Sequence, residues 1–179
     1  MQIDPHAVVQ FWRDAGPARW FRHDDAFDAE FRHRFLAAHE AAVRGELAAW
    51  GDTPEGALAL VLLLDQFPRN AFRGTPRMYA SDALARDAAN AALAVEHDVQ
   101  VEPALQPFFY MPFMHSEDLA DLDRCITLMQ PMGGDHLRYA QHHRDIVARF
   151  GRFPHRNALL GRPSTQEEQR FLAEGGFSG

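Results

Sequence analysis

The stretch TPEGALALVLLLDQ, residues 53–66, decides the fold class. Thr53 is a capping residue placed before Pro54, which suits the first turn of a helix, and residues 57–64 are apolar on every side. A buried β-strand of that length is the alternative, but the Thr-Pro start and the alanines favour a helix. The stretch therefore predicts a central, fully buried helix.

The helical period continues on both sides of this stretch, and no segment shows the alternation of a strand. Short connections join the predicted helices, which favours antiparallel helical hairpins, and no linker divides the chain. We therefore expect an all-α protein with a single compact domain over residues 1–179. The remaining helices are predicted at residues 5–13, 25–50, 76–97, 102–110, 116–130 and 135–150, and from a Ser-x-x-Glu capping box at Ser164 to Gly175.

The overall charge argues against nucleic-acid binding, since the formal net charge is −7 and the pI is about 5.8. All 18 basic residues are arginines. Without lysine, Schiff-base chemistry and a P-loop are excluded, and an anion would have to be recognised by Arg, His or backbone amides. The apolar run 57–64 is too short to cross a bilayer and the first residues do not resemble a signal peptide. We expect a cytoplasmic protein with no membrane partner.

Neither a metal nor a cofactor is expected. Cys125 is the only cysteine, and its helical surroundings favour a buried, inert thiol over a nucleophile. The chain has no His-Glu-x-x-His and no His-x-x-x-His spacing, so a metal site made of His115, Glu117 and His143 would require assembly by tertiary folding. The Gly-x-Ser-x-Gly and Gly-x-Gly-x-x-Gly motifs are also absent from the sequence.

Three polar segments lie between the apolar helices, and the first covers residues 65–73. Pro68 is expected to end or kink the buried helix, and Asp65 and Arg69 have the spacing of a helical ion pair. Arg69 and Arg73 have the chemistry to bind a carboxylate or phosphate. Alternatively, the polar side chains of this segment satisfy backbone groups that the kink exposes.

The second polar segment is His115-Ser116-Glu117-Asp118. If Ser116 caps the next helix, His115 lies beside free N–H donors, a position that suits an anion or a neutral imidazole with a lowered pKa. Glu117 is then a candidate general base. The alternative is an ordinary capped helix with acidic residues in its first turn.

The third polar segment covers residues 143–162. On a helix, His143 shares the inward face with Val147 and Phe150, whereas His142 points outward. An inward histidine is more often a hydrogen-bonded core residue than a ligand-binding group. Here further polar side chains follow closely: Arg152, His155, Arg156 and Asn157.

The stretches LLLDQFPRNAFRGTPRMYASDALA (62–85), FYMPFMHSEDLADLDRC (109–125) and YAQHHRDIVARFGRFPHRNALLGRPSTQEE (139–168) resemble the DUF924 family of bacterial proteins. The resemblance covers nearly the whole chain and implies a TPR-like helical fold, but it implies no activity. One departure from the family pattern lies at residues 121–123. The signature positions of the resemblance are Asp65, Gln66, Arg69, Asn70, Arg73, His115, Ser116, Glu117, His143, Arg152, His155, Arg156, Asn157 and Arg162.

The preferred functional hypothesis is a pocket between helices, lined by Arg and His, that binds a small anionic molecule; whether it is catalytic is left open. One alternative is a TPR-like module that binds a protein or peptide partner, and another is that the motifs mainly build the fold. The candidate catalytic residues are His115, Glu117 and His143. The candidate ligand-binding residues are Asp65, Arg69, Arg73, Arg152, His155, Arg156 and Asn157.

Overall fold

The computed structural model describes residues 4–178, and within this range the regular structure is helical, with no β-strand. The all-α prediction is confirmed. The α-helices are α1 (Pro5–Ala15), α2 (Pro17–Trp20), α3 (Asp25–Val43), α4 (Pro54–Val61), α5 (Phe67–Ala71), α6 (Asp82–Ala94), α7 (Met111–Met114), α8 (Leu119–Met129), α9 (Gly134–Phe150) and α10 (Gln166–Ala173). Short 3₁₀-helices lie at Ala48–Asp52, Pro76–Tyr79, Asp98–Gln100, Gln106–Phe109 and Pro154–Arg156.

The chain packs as two compact units. Among the described residues, unit 1 holds 4–73 and 77–112, and unit 2 holds 74–76 and 113–178. The single domain and the TPR-like array both stay predictions. No helix in the described part of the chain has the length and apolar character needed to cross a membrane.

Unit 1 is built around aromatic side chains and the buried helix α4. Every residue of α4 from Gly56 to Val61 is buried, which confirms the central helix predicted from its all-round apolar pattern. Phe31 and Phe67 are fully buried and meet edge to face with ring centroids 5.1 Å apart. Trp12 and Phe108 make a similar contact at 5.4 Å. Such pairs add about 1 kcal/mol each to the burial of their surface.

Beyond α4 the helix does not break at Pro68. The chain instead makes a π-turn at Leu62–Gln66, in which the Phe67 N–H donates to the Leu62 carbonyl five residues back. The turn leads directly into α5. The predicted kink is therefore a widened helical turn, which leaves carbonyl groups without their usual helical donors.

Unit 2 is a smaller helical assembly whose core lies between α8 and α9. Leu122 from α8, Ile146 and Val147 from α9, and Phe153 form this core. Three further phenylalanines pack at its margin: Phe150, Phe171 and Phe177.

The two N-caps predicted at Ser116 and Ser164 were wrong. Asp118, not Ser116, caps α8, because its carboxylate accepts the Ala120 N–H, and Glu117 therefore lies before the helix. Likewise Thr165 caps α10 in place of Ser164, in a capping box completed by Glu168. In both cases the cap lies downstream of the predicted residue. Glu167, which a box starting at Ser164 would use, instead accepts a hydrogen bond from Arg149 at 2.9 Å.

The predicted helix over residues 25–50 was too long, because α3 ends at Val43. Gly45 adopts a φ of 76°, and the Glu46 N–H reaches back to the Ala41 carbonyl in a Schellman motif. The following residues form a separate 3₁₀-helix, Ala48–Asp52.

Candidate functional site

In unit 1, the first polar segment surrounds the π-turn. Pro68 has no N–H, so it cannot donate to Leu64, its partner in an α-helix, or to Leu63, its partner in a π-turn. The His39 imidazole donates through Nδ1 to the Leu63 carbonyl at 2.8 Å, and the Ser81 hydroxyl donates to the Leu64 carbonyl at 2.6 Å. Side chains from two other parts of unit 1 thus replace the missing amide.

The next two carbonyls of the turn bind side chains of the segment itself. Arg69 donates to the Asp65 carbonyl and Asn70 donates to the Gln66 carbonyl, each at 2.8 Å. Arg69 also contacts the carboxylates of Asp65 at 3.2 Å and Asp82 at 2.9 Å. Burial alone would lower the pKa of Arg69, but these two carboxylates outweigh it and raise the pKa. Arg69 therefore stays charged and is neutralised by the protein.

Arg73 has a carboxylate partner of its own. Its Nε donates to Asp28 at 2.8 Å and its Nη2 to the second Asp28 oxygen at 3.4 Å. Both arginines of the first segment are therefore committed to aspartates of unit 1. The contacts of Asp65, Arg69 and Arg73 favour the structural interpretation of this segment over an external anion.

In unit 2, Glu117 is an anchor for the loop that follows α9. Its carboxylate accepts the Phe153 N–H at 2.8 Å and two hydrogen bonds from Arg162, at 2.7 and 2.9 Å. Burial alone would raise the pKa of Glu117, but the bonds from Arg162 and Phe153 outweigh it and lower the pKa. A carboxylate with such strong donors and a lowered pKa is a weak general base, so this geometry does not favour the catalytic role suggested by the sequence.

Arg152 and Asn157 belong to a second anchor, centred on the buried Glu168. Arg152 donates twice to the Glu168 carboxylate, at 2.7 and 2.9 Å, and Asn157 donates to it at 3.2 Å. The Asn157 side-chain oxygen accepts from Arg162 at 2.9 Å, which joins the two anchors. This network holds the loop after α9 against α10.

His143 points into unit 2, as its helical position predicted, whereas His142 is exposed. Its Nδ1 donates to the Tyr139 carbonyl at 2.8 Å, so Nε2 is the proton-accepting atom of the neutral ring. Burial, with a smaller contribution from His115, lowers the pKa of His143 to about 4. The imidazole is therefore uncharged at neutral pH.

His155 is a second uncharged imidazole in the same unit. Burial, followed by the charge of Arg156, lowers the pKa of His155 to about 3. Its Nδ1 is buried and has no hydrogen-bond partner among the described residues. A buried polar atom without a partner costs about 1–3 kcal/mol, so this nitrogen is an unusual feature that calls for an explanation.

Arg156 links these imidazoles to His115. The Arg156 guanidinium donates to the His115 carbonyl at 2.8 Å and lies 4.8 Å from the centroid of the Phe153 ring. We refer to His115, His143, His155 and Arg156 as the histidine cluster. The second and third polar segments thus meet within unit 2, whereas the first forms its own network within unit 1.

Aromatic rings surround the two buried imidazoles. The Phe153 ring centroid lies 5.6 Å from each of the His143 and His155 rings. The Phe177 ring contacts His143 at 4.6 Å and His155 at 5.0 Å, near edge to face. Phe177 was not among the residues predicted from the sequence, because a single phenylalanine after a Gly-Gly pair gives no signal of its own.

The chemistry available to the cluster is hydrogen bonding and proton exchange beside a positive charge. No group of three or more His, Cys, Asp or Glu side chains in residues 4–178 is arranged to hold a metal ion. A cavity of about 220 Å³ lies in unit 1, but it is lined by alanines, glycines and Leu60, and none of the predicted site residues lines it.

Comparison with known proteins identifies the family of this chain but no activity for it. The chain is similar to the solved structure of a protein of unknown function, ATU0120, from Agrobacterium tumefaciens, with 54% sequence identity and a TM-score of 0.94. The match covers 96% of this chain and 97% of that one. The comparison with curated proteins finds no match. The model of a family described as bacterial protein of unknown function (DUF924) matches residues 8–176, and the chain therefore belongs to the DUF924 family.

Proposed function

We propose that the histidine cluster of unit 2 binds a small anionic molecule. The observation that carries the proposal is the buried Nδ1 of His155, which has no hydrogen-bond partner among the described residues. The chain bears the cost of burying this polar atom, and a bound ligand that supplies the missing hydrogen bond would remove that cost.

The charge around this atom favours an anion. The anchors and the cluster together contain three arginines, Arg152, Arg156 and Arg162, and two carboxylates, Glu117 and Glu168, which gives a net charge of +1. Burial is the main reason that the pKa values of His143 and His155 are lowered, and the positive charge of Arg156 lowers both further. A bound carboxylate or phosphate would reverse this effect, because a nearby negative charge raises the pKa of an imidazole.

A ligand with this charge would therefore promote the uptake of a proton by the cluster. His143 is suited to receive it at Nε2, because its Nδ1 donates to the Tyr139 carbonyl. His143 and His155 are accordingly the preferred acid–base groups, ahead of Glu117, should the site be catalytic. Arg69 and Arg73 are not part of the proposed site, since aspartates of unit 1 neutralise them.

A thermal-shift screen of small carboxylates and phosphates tests the proposal. A binding anion should raise the melting temperature of the wild-type protein, and the rise should disappear in His155→Phe, which keeps a planar ring but has no nitrogen. His33→Phe is the matched control, because His33 is exposed on α3.

The required outcome is a rise that depends on His155 and is retained in the control. A rise that persists in His155→Phe would place the anion elsewhere and refute the proposal. The absence of any rise across the whole panel would refute it as well.

A further inference from the structure

We infer that the ligand of the histidine cluster is a planar aromatic anion, and that the Phe177 ring occupies the place of the ligand's aromatic ring until the ligand displaces it. The inference rests on the proposed function and specifies the chemical class of the ligand. It is carried by the ring geometry around His143 and His155 and by the way the Phe177 segment is held.

The rings around Phe177 form an aromatic cage. His143, His155 and His142 lie 4.6, 5.0 and 5.9 Å from the Phe177 centroid, with interplanar angles of 62°, 84° and 82°. Edge-to-face contacts of this kind favour an aromatic ring over a saturated one, because the ring quadrupole contributes to the attraction. A cage of three imidazoles around one six-membered ring therefore selects planar aromatic groups.

Phe177 is held in the cage by ring contacts alone. Among the described residues its backbone takes part in no hydrogen bond, and the residue is only half-buried. The segment leaves α10 through Gly175, which has a φ of 83°, and through Gly176, whose N–H donates to the Phe171 carbonyl at 2.9 Å. Displacing the ring therefore breaks packing contacts but no backbone hydrogen bond of Phe177.

An anionic substituent has suitable partners next to the same cage. The buried Nδ1 of His155 belongs to one of the three imidazoles, and the neighbouring Arg156 supplies positive charge. Arg156 also lies over Phe153, whose ring contacts both His143 and His155. An aromatic ring with one carboxylate or phosphate thus matches both features of the site, the ring cage and the neighbouring partners for an anion.

Isothermal titration calorimetry with benzoate and cyclohexanecarboxylate tests the inference, because the two probes share their charge and approximate size but differ in aromaticity. Each is titrated into wild type, Phe177→Ala and Phe177→Leu. We expect benzoate to bind Phe177→Ala about tenfold more tightly than wild type, since no ring contacts have to be broken first. Cyclohexanecarboxylate should bind Phe177→Ala at least about threefold more weakly than benzoate. Phe177→Leu should behave as Phe177→Ala does, and circular dichroism checks that both are folded.

The possible failures separate the two proposals. Equal affinity of Phe177→Ala for both probes would show that the space left by Phe177 accepts any apolar group. That result would overturn the aromatic inference and leave the proposal of anion binding intact. Equal benzoate affinity of wild type and both variants would show that Phe177 does not occupy the ligand position, again leaving anion binding intact. If neither probe binds any of the three proteins, the aromatic inference falls; the anion proposal then depends on the thermal-shift screen alone.

The accessibility of His155 gives an independent measurement. Diethyl pyrocarbonate acylates unprotonated imidazoles, and mass spectrometry locates each modified histidine. His155 should react faster in Phe177→Ala than in wild type, with the exposed His33 of the same molecule as the internal standard. In wild type, benzoate should protect His155 and leave His33 unaffected. An unchanged rate at His155 in Phe177→Ala would contradict the role of Phe177 as a cover.

Discussion

Acid sensitivity is a direct consequence of the two uncharged imidazoles in unit 2. In the folded protein the pKa of His143 is about 4 and that of His155 about 3, against 6.5 for a solvated imidazole. Below pH 6.5 the unfolded chain binds a proton at each histidine that the folded chain does not bind. The free energy of unfolding therefore falls as the pH falls through this range, and the stabilisation is fully present only above pH 6.5.

The size of this effect follows from the pKa difference. Each imidazole lowers the free energy of unfolding by about 1.4 kcal/mol for every pH unit below 6.5, until its folded pKa is reached. Lowering the pH from about 6.5 to about 5 thus costs about 2 kcal/mol for each histidine and about 4 kcal/mol for the pair. This is a large part of the roughly 5–15 kcal/mol that stabilises a typical domain.

Urea unfolding at a series of pH values between about 7 and about 5 measures the slope. His143→Phe removes one of the two titrating groups and should reduce the slope by about 1.4 kcal/mol per pH unit. His33→Phe, an exposed change, should leave the slope unaltered. His39, whose pKa is also lowered by burial, adds to the slope equally in all three proteins. A slope that is identical in wild type and His143→Phe would refute the reasoning.

Three further predictions concern other parts of the chain. Ser81→Ala leaves the buried Leu64 carbonyl without its hydroxyl donor and should lower the free energy of unfolding in urea by about 1–3 kcal/mol. Thr127→Ala removes an exposed hydroxyl from a helix carbonyl and should change the free energy of unfolding by less than about 0.5 kcal/mol. Equal costs for the two variants would contradict the role of Ser81. Glu168→Gln weakens both the α10 capping box and the pair with Arg152 and should lower the free energy of unfolding by about 1–3 kcal/mol; an unchanged unfolding midpoint would show that this anchor is dispensable. Burial raises the pKa of the Cys125 thiol to about 12. A disulfide reagent should therefore modify Cys125 at least about a hundredfold more slowly in the native protein than in urea. Similar rates in the two conditions would show that the thiol is accessible in the native protein.

Local signals in the sequence were sufficient to place most of the helices, but not all of their bounds. The helix predicted over 76–97 is a 3₁₀-helix at Pro76–Tyr79 followed by α6, and the helix predicted over 102–110 is only a 3₁₀-helix at Gln106–Phe109. The helix α4 follows from its apolar pattern and its Thr-Pro start, and His143 is placed inward by helical spacing alone. The error at the start of α10 arose where two local signals competed. Ser164 and Thr165 are each followed three residues later by a glutamate, and only tertiary contacts decide that Glu168, bound by Arg152 and Asn157, completes the capping box.

The contacts of the site residues could not be obtained from the sequence, because their partners are distant along the chain. Arg73 pairs with Asp28, which is 45 residues away, and Glu117 pairs with Arg162, also 45 residues away. A list of arginines and histidines predicts that anions will be bound but does not reveal that aspartates and glutamates of the same protein already bind Arg69, Arg73 and Arg152. The histidine cluster became distinct from the rest of the signature only when these pairs were known.

The π-turn at Leu62–Gln66 also sets the direction in which the side chains of the following helix, α5, point around the helix axis. Successive residues of a helix are rotated by about 100°, so a wide turn holding one additional residue rotates the downstream side chains by that angle. If the same residues formed a regular α-helix, Arg69 and Arg73 would be turned about 100° away from Asp82 and Asp28. Deleting one leucine from the stretch would permit a regular α-helix and keep both arginines in their present orientation. The number of residues between Thr53 and Arg69 and the wide turn at Leu62–Gln66 are therefore matched to each other, and a change in one requires a change in the other.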